Sequence, residues 1–184
     1  IHSPTIEYGF EIDTFQVVKG QIQTGQSLGK ILSSYGVSYS KIDKLARKTR
    51  KTEYDVRYLK AGHTYTIFNK TDTGGIQQAQ VFIYEEDKIN YIVYDFRDTL
   101  NIYQSQKPVE VKLIEDAGII EQGSSFFLTG AALGMSDRLC EIISDEIYCW
   151  TLDFRNVQPG DRFKVLYEAK YLNGEFVGVG NVKG

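Results

Sequence analysis

The chain is poor in the residues that build metal and redox centres: two histidines, two cysteines and one methionine in 184 residues. Nothing in it reads as a self-sufficient active site. Cys140 and Cys149 are too close in sequence to bridge through one helix. Nine residues of helix would set them about 13 Å apart on opposite faces, whereas a disulfide needs Cα atoms within about 7 Å. They are therefore read as two small buried hydrophobes. Cys149 has no histidine nearby to activate it as a nucleophile. No apolar run approaches the ~20 residues of a membrane-spanning helix. Also missing are an initiator Met and a charged-then-apolar leader, so a trimmed or processed N-terminus is expected. Disorder is excluded by 42% hydrophobic residues against 24% charged. A formal charge of only −3, with no aromatic residues among the lysines, argues against nucleic acid as a partner.

The charge is unevenly placed. Residues 1–70 hold 11 Lys/Arg against 6 Asp/Glu, and residues 71–184 hold 10 against 18. That asymmetry predicts a boundary in the polar, glycine-containing stretch Asn69 to Gly75. The expected domains are 12–70 and 76–184. Lys41, Lys44, Lys48 and Lys51 recur at spacings of 3, 4 and 3, which puts them on one helical face. That face is read as solvated, or as docking to an anionic surface.

In the first domain, apolar Phe15, Val17 and Val18 lead into a turn around Gly25. Ser27 is a helix N-cap, and Leu28, Ile31, Leu32 and Tyr35 form one helical face that Gly36 stops. Ser38 caps a second helix with Val37 and Ile42 as a hydrophobic staple and Leu45 and Ala46 inward. Alternation at Tyr65 to Phe68 closes the domain with a strand. The order is β-α-α-β.

Beyond residue 76, short aromatic and β-branched segments around Val81, Tyr91, Ile102 and Val109–Ile114 predict an antiparallel meander with one solvated face. Tyr84, Tyr91, Tyr94 and Tyr103 suit half-buried positions in it. Ser125 and Ser136 then open two helices, the second with Leu139, Ile142, Ile143 and Ile147 as its inward stripe. From Trp150 to Glu168 the pattern predicts strand, turn, strand, with Pro159-Gly160-Asp161 as a type II turn. Asn173-Gly174 is the strongest hairpin signal in the chain. The fold class is α+β: a small β-α-α-β domain, then an antiparallel sheet with an αα-hairpin.

Two resemblances add to this reading. The run from Val17 to Ala46, with Leu59 to Ile67, resembles a LysM-like domain, a small fold that often binds N-acetylglucosamine-containing glycans. That resemblance implies a groove at Gln26 and Ser27 with Arg57, Tyr58 and Leu59. Ala46-Arg47-Lys48 stands where glycan-binding members commonly carry Asn, which predicts weak or absent binding of chitin-type oligosaccharides. Trp150, Asp153-Phe154, Gly160-Asp161-Arg162-Phe163 and Tyr167-Glu168 resemble the segment ahead of the catalytic domain in lysostaphin-like (LytM-type) zinc metallopeptidases of the bacterial cell envelope. The resemblance implies an exported, periplasmic or envelope protein whose partner is peptidoglycan or its own peptidase domain.

Such peptidases hold zinc with a His-x-x-x-Asp pair and a later His-x-His. Neither His2 nor His63 has a second ligand at those spacings, so no cofactor is expected in this chain and zinc is expected in a catalytic domain beyond it. The resulting expectation is a non-catalytic regulatory or substrate-positioning region of a peptidoglycan-hydrolysing zinc metalloendopeptidase, residues 1–70 covering the substrate groove. A stand-alone cell-envelope glycan-binding module is the alternative. A small glycosidase using Asp153 and Asp161 as its two acids is the third reading. The chain by itself should neither take up zinc stoichiometrically nor degrade purified wall, which calorimetry and the release of peptide fragments check together.

Overall fold

The computed structural model describes residues 3–184, and His2 lies outside them. Tyr8 (φ 52°) and Gly9 (φ 80°) turn the chain tightly between β1 (Ile6–Glu7) and β2 (Phe10–Glu11). Two positive φ values in succession are what a type I′ hairpin requires. β3 (Gln16–Gln21) follows, then α1 (Leu28–Ser34) and α2 (Tyr39–Thr49). Both helices start as their capping chemistry dictates: Ser27 Oγ accepts from Lys30 N–H and Ser38 Oγ from Lys41 N–H. Gly36, at φ +72°, stops α1, and Leu28, Ile31, Leu32 and Leu45 face the core.

A single turn of 3-10 helix (Val56–Tyr58) leads to β4 (Thr64–Thr71), β5 (Gln77–Glu85), β6 (Asn90–Asp95) and β7 (Asn101–Gln106). These strands form one antiparallel sheet in the order β3-β4-β5-β6-β7. The sheet overturns the boundary expected near residues 69–75. β4 and β5 are paired from Tyr65↔Tyr84 to Thr71↔Gln77, and the polar stretch is their hairpin loop. Asp72 shapes it, its Oδ1 accepting from Gly74 N–H at 2.8 Å and Ile76 N–H at 2.9 Å. The division falls instead between Lys107 and Pro108. Counted over those units, the first holds 14 Lys/Arg against 12 Asp/Glu and the second 7 against 12, so the charge split is roughly halved.

A second correction concerns the sheet faces. β5 and β6 each contain four consecutive buried residues, so no face is solvated along them. One face meets α1 and α2 through Ile67, Phe82 and Tyr94. The other packs Phe68, Val81, Ile83, Tyr91 and Val93 against Phe10, with Tyr8 and Phe15 beside it. Tyr84, Tyr91 and Tyr94 are accordingly fully buried rather than half-buried. The basic face of α2 is also partly satisfied internally: Lys48 Nζ donates to the Leu100 carbonyl at 2.6 Å and Lys41 Nζ to that of Phe96 at 3.4 Å.

The second unit is a three-stranded antiparallel sheet, β8 (Glu110–Ile119), β9 (Arg162–Leu172) and β10 (Glu175–Val182), in the order β10-β9-β8. Val109–Ile114 thus belongs here and not to the meander. Between β8 and β9 lie α3 (Phe126–Ala132) and α4 (Asp137–Glu141), capped by Ser125 and Ser136 as expected, then a π-helix (Ile142–Ile147). Phe126, Leu139 and Ile143 pack on Val165, Tyr167 and Ala169 of β9. The wider π turn rotates the stripe, so Ile147 is exposed instead of inward. Asn173 (φ 51°) and Gly174 (φ 84°) make the expected hairpin, with Leu172 opposite Glu175. No strand forms at Trp150–Gln158. Tyr148 and Asp153 close turns there, through Leu152 N–H to Tyr148 O at 2.9 Å and Arg155 N–H to Asp153 Oδ1 at 3.0 Å. The type II turn at Gly160 (φ +97°) does form, closed by Asp161 N–H to Gln158 O at 3.0 Å.

Two glycines in the left-handed region separate backbone strain from crowding. A Cβ on Gly25 would meet nothing within 4 Å, whereas one on Gly36 would stand 2.6 Å from the Gln77 carbonyl oxygen, a backbone atom of β5. Gly25→Ala should therefore cost about 1–2 kcal/mol, the left-handed penalty alone. Gly36→Ala should cost clearly more, and urea unfolding of both variants measures the difference.

Candidate functional site

In the first unit Gln26, Ser27 and Arg57, expected to border a sugar groove, are each engaged locally. Ser27 Oγ is occupied as a helix cap and Gln26 Oε1 accepts from Gln23 N–H at 3.0 Å. Arg57 is committed to Asp55. Its Nε donates to both carboxylate oxygens at 2.9 and 3.1 Å, while Asp55 also accepts from the backbone N–H groups of Arg57 and Lys51 at 3.0 and 3.2 Å. The guanidinium also lies 5.7 Å from the Tyr58 ring centroid. No hydrogen bond joins Gln26 or Ser27 to Arg57 or Tyr58.

Tyr58 instead borders a small cleft of about 180 Å³ with Tyr54, Asp55, His63, Tyr84 and Glu86. His63 stacks on Tyr84, centroids 5.5 Å apart at 16°, and its Nδ1 is 2.9 Å from the Glu85 carbonyl. A carbonyl only accepts, so Nδ1 carries a proton and donates it there, and His63 is satisfied at that nitrogen just ahead of β4. Tyr84 Oη accepts from Lys60 N–H at 3.0 Å and Tyr94 Oη donates to the Tyr54 carbonyl at 3.2 Å. Burial pushes the hydroxyls of Tyr84 and Tyr94 up from their ordinary value, so they stay neutral and act as hydrogen-bonding struts. Among the described residues no three His, Cys, Asp or Glu side chains gather to hold a metal.

In the second unit most of the motif residues are scaffold. Phe154 and Phe163 pack on Phe126, centroids 4.8 and 5.0 Å away. Tyr167 Oη donates to Asp116 Oδ2 at 3.0 Å, and burial first, then that carboxylate, push its hydroxyl up to about 12. Glu168 pairs with Lys183 at 3.0 Å and accepts from Asn181 N–H at 3.2 Å, which lowers its carboxyl. Asp153 and Asp161 border one cleft of about 420 Å³. Both are engaged as turn formers: Asp153 accepts from Arg155 N–H and Asn156 Nδ2, and Asp161 from Gln158 N–H at 2.8 Å. Arg162 is exposed.

Trp150 is different, because it is 95% exposed. It borders an open cleft of about 880 Å³ with Phe127, Asp145, Leu152 and Arg155. Sequence reasoning missed this grouping. Asp145 and Arg155 sit on either side of Trp150 in the chain, but only the π turn and the turns after it bring the three together, and neither has a sequence signature. Cys140 is buried as expected, while Cys149 is exposed on the same cleft.

No established family profile matches the chain. It is 23% identical over 176 residues to the DD-carboxypeptidase/endopeptidase Mpg of Neisseria meningitidis serogroup B, and equally so to that of Neisseria gonorrhoeae. Those alignments take in 95% of this chain but 40% of the relatives, so the chain spans less than half of the proteins it matches. A zinc-containing peptidase from Vibrio cholerae superposes with a TM-score of 0.61 at 20% identity, over 90% of this chain and 49% of that one. At that identity the likeness establishes the fold alone. No helix among the described residues is long and apolar enough to cross a membrane.

The Asp55–Arg57 pair generates a pH prediction. The Arg57 guanidinium holds the Asp55 carboxyl well below the usual carboxylate range. Its folded value lies below its unfolded one, so its contribution to stability is complete above about pH 4 and is lost as pH falls toward the folded value. Asp55→Asn should remove that dependence. Thermal melts at successive pH values between about 5 and 2 should then fall less steeply with acid than those of the parent chain.

Proposed function

We propose that this chain is a non-catalytic region of a peptidoglycan-hydrolysing zinc metalloendopeptidase, regulating the peptidase or positioning its substrate. One observation carries the reading: nearly all of the chain aligns with well under half of a DD-carboxypeptidase/endopeptidase. The likeness to a zinc-containing peptidase, again over about half of that chain, supports it. On this reading zinc, hydrolysis and the His-rich ligand set belong to a further part of the parent, which works in the periplasm or cell envelope, and the partner is peptidoglycan or the peptidase itself.

The LysM-like identity of residues 12–70 belongs to the same proposal, with one change to its use. Those residues contribute β3 and β4 to a sheet that continues through β7, so a regulatory cover would be the whole unit Ile1–Lys107. A tethered unit acts at an effective concentration on the order of millimolar, and weak contacts then suffice to obstruct a groove.

The test compares the parent enzyme with a version lacking residues 1–107, zinc content matched, on the same purified wall. A severalfold higher rate in the truncated enzyme is expected. An equal or lower rate would remove the cover and leave positioning or targeting. A cut at residue 70 would leave β5 without its partner and would not be informative.

A further inference from the structure

The only tryptophan of the chain, Trp150, is 95% exposed, and its backbone lies within a hydrogen-bonded turn. The Tyr148 carbonyl accepts from Thr151 N–H at 3.0 Å and Leu152 N–H at 2.9 Å, and Tyr148 N–H donates to the Ile143 carbonyl at 3.0 Å. An indole with two rotatable bonds on a closed turn loses little entropy when something stacks on it. Phe127 and Leu152, both largely exposed, border the same cleft of about 880 Å³, a size within the range of small-molecule sites. The π-helix just before it is a departure from regular helix that is frequent at functional sites.

The polar groups of the cleft are free to act. Asp145 accepts from Ser144 Oγ at 2.7 Å through one carboxylate oxygen, and among the described residues its second oxygen has no partner. Ser144 is itself buried, so that hydrogen bond fixes the carboxylate. Arg155 uses only its backbone N–H, toward Asp153, and among the described residues its guanidinium makes no ion pair.

We propose that the cleft of Trp150, Asp145 and Arg155 is a saccharide-binding site. A pyranose offers an aliphatic C–H face that stacks on an indole, and equatorial hydroxyls that bond to planar carboxylate and guanidinium groups. A purely apolar ligand would leave both charged groups desolvated and unpaired. Nucleic acid would meet a unit with 7 Lys/Arg against 12 Asp/Glu. The identification of the saccharide as wall glycan rests on the function proposed above; the site does not.

Because Trp150 is the sole tryptophan, emission excited at the red edge, where the 13 tyrosines absorb little, reports this cleft alone. Titrating the 184-residue chain with N-acetylglucosamine tetramer should give a saturable emission shift with a Kd on the order of 10⁻⁴ to 10⁻³ M, weak because the cleft is open. Asp145→Asn and Arg155→Ala should each raise that Kd at least about fivefold, while Lys88→Ala, at an exposed position in the first unit, leaves it unchanged. Trp150→Ala, followed by calorimetry, should abolish binding. No shift up to about 10 mM, or a Kd indifferent to both Asp145→Asn and Arg155→Ala, overturns the site. A tighter, Arg155-dependent shift with an N-acetylated tetrapeptide bearing a free C-terminal carboxylate would assign the cleft to peptide and equally overturn it. Saccharide binding combined with an unchanged rate on removing residues 1–107 would keep the site and discard the regulatory reading. The opposite pair of results would discard the site alone.

Discussion

The first unit depends on burying both faces of one antiparallel sheet. Four consecutive buried residues in β5 and four in β6 mean that side chains pointing up and side chains pointing down must both find cover. Two short helices cover one face. On the other, Phe10 is buried against Phe68 at 5.6 Å and Tyr8 meets Tyr91 edge-on at 5.0 Å. Full burial of one such side chain stabilises by roughly 1.5–3 kcal/mol, so Tyr8, Phe10 and Phe15 belong to the core of the unit. Its attachment is also polar: Tyr8 donates to the Glu85 carboxylate, and Lys107, 3.0 Å from Glu85, lies over the Tyr8 ring at 5.6 Å. One carboxylate on β5 therefore ties the turn of the first hairpin and the last residue of the unit to the central strand of the sheet.

That constraint explains what was legible in the sequence and what was not. Features set by neighbours in the chain were readable: Ser27, Ser38, Ser125 and Ser136 as caps, Gly36 as a stop, and Asn173-Gly174 as a turn. In each case the relevant hydrogen bond or φ value is local. Features set by distant partners were not. Asn69 to Gly75 has the composition of a linker because a hairpin loop and a linker satisfy their backbone groups in the same way, with small polar side chains and water. Only the pairing of β4 with β5 tells them apart. Similarly, tyrosines alternating in a strand look half-buried until a second covering layer is known.

Trp150 illustrates the same limit at the site. Trp150, Leu152 and Phe154 alternate as a strand would, and no strand forms. Asp153 binds the N–H two residues on and Asn156 three residues on, an Asx turn that competes directly with extended pairing. The local polar side chain prevails because β9 begins only at Arg162 and no strand lies in register to receive Trp150. The turns then place Phe154 against Phe126 and leave Trp150 out.

The same accounting bears on what motif resemblance can mean here. Phe154, Phe163, Tyr167 and Glu168 are each consumed by packing or pairing within the second unit, and Gly160 and Asp161 by the turn that feeds β9. A residue whose hydrogen-bonding groups are satisfied and whose ring is packed has nothing left with which to hold a metal or a substrate. The likeness of those residues to a peptidase-associated segment therefore bears on fold alone, as does the superposition on a zinc-containing peptidase. Among the aromatic residues of that set, Trp150 alone is exposed. Its apolar area is presented at a cost to the isolated chain, which is the physical reason to look for chemistry at this residue rather than at the rest of the motif.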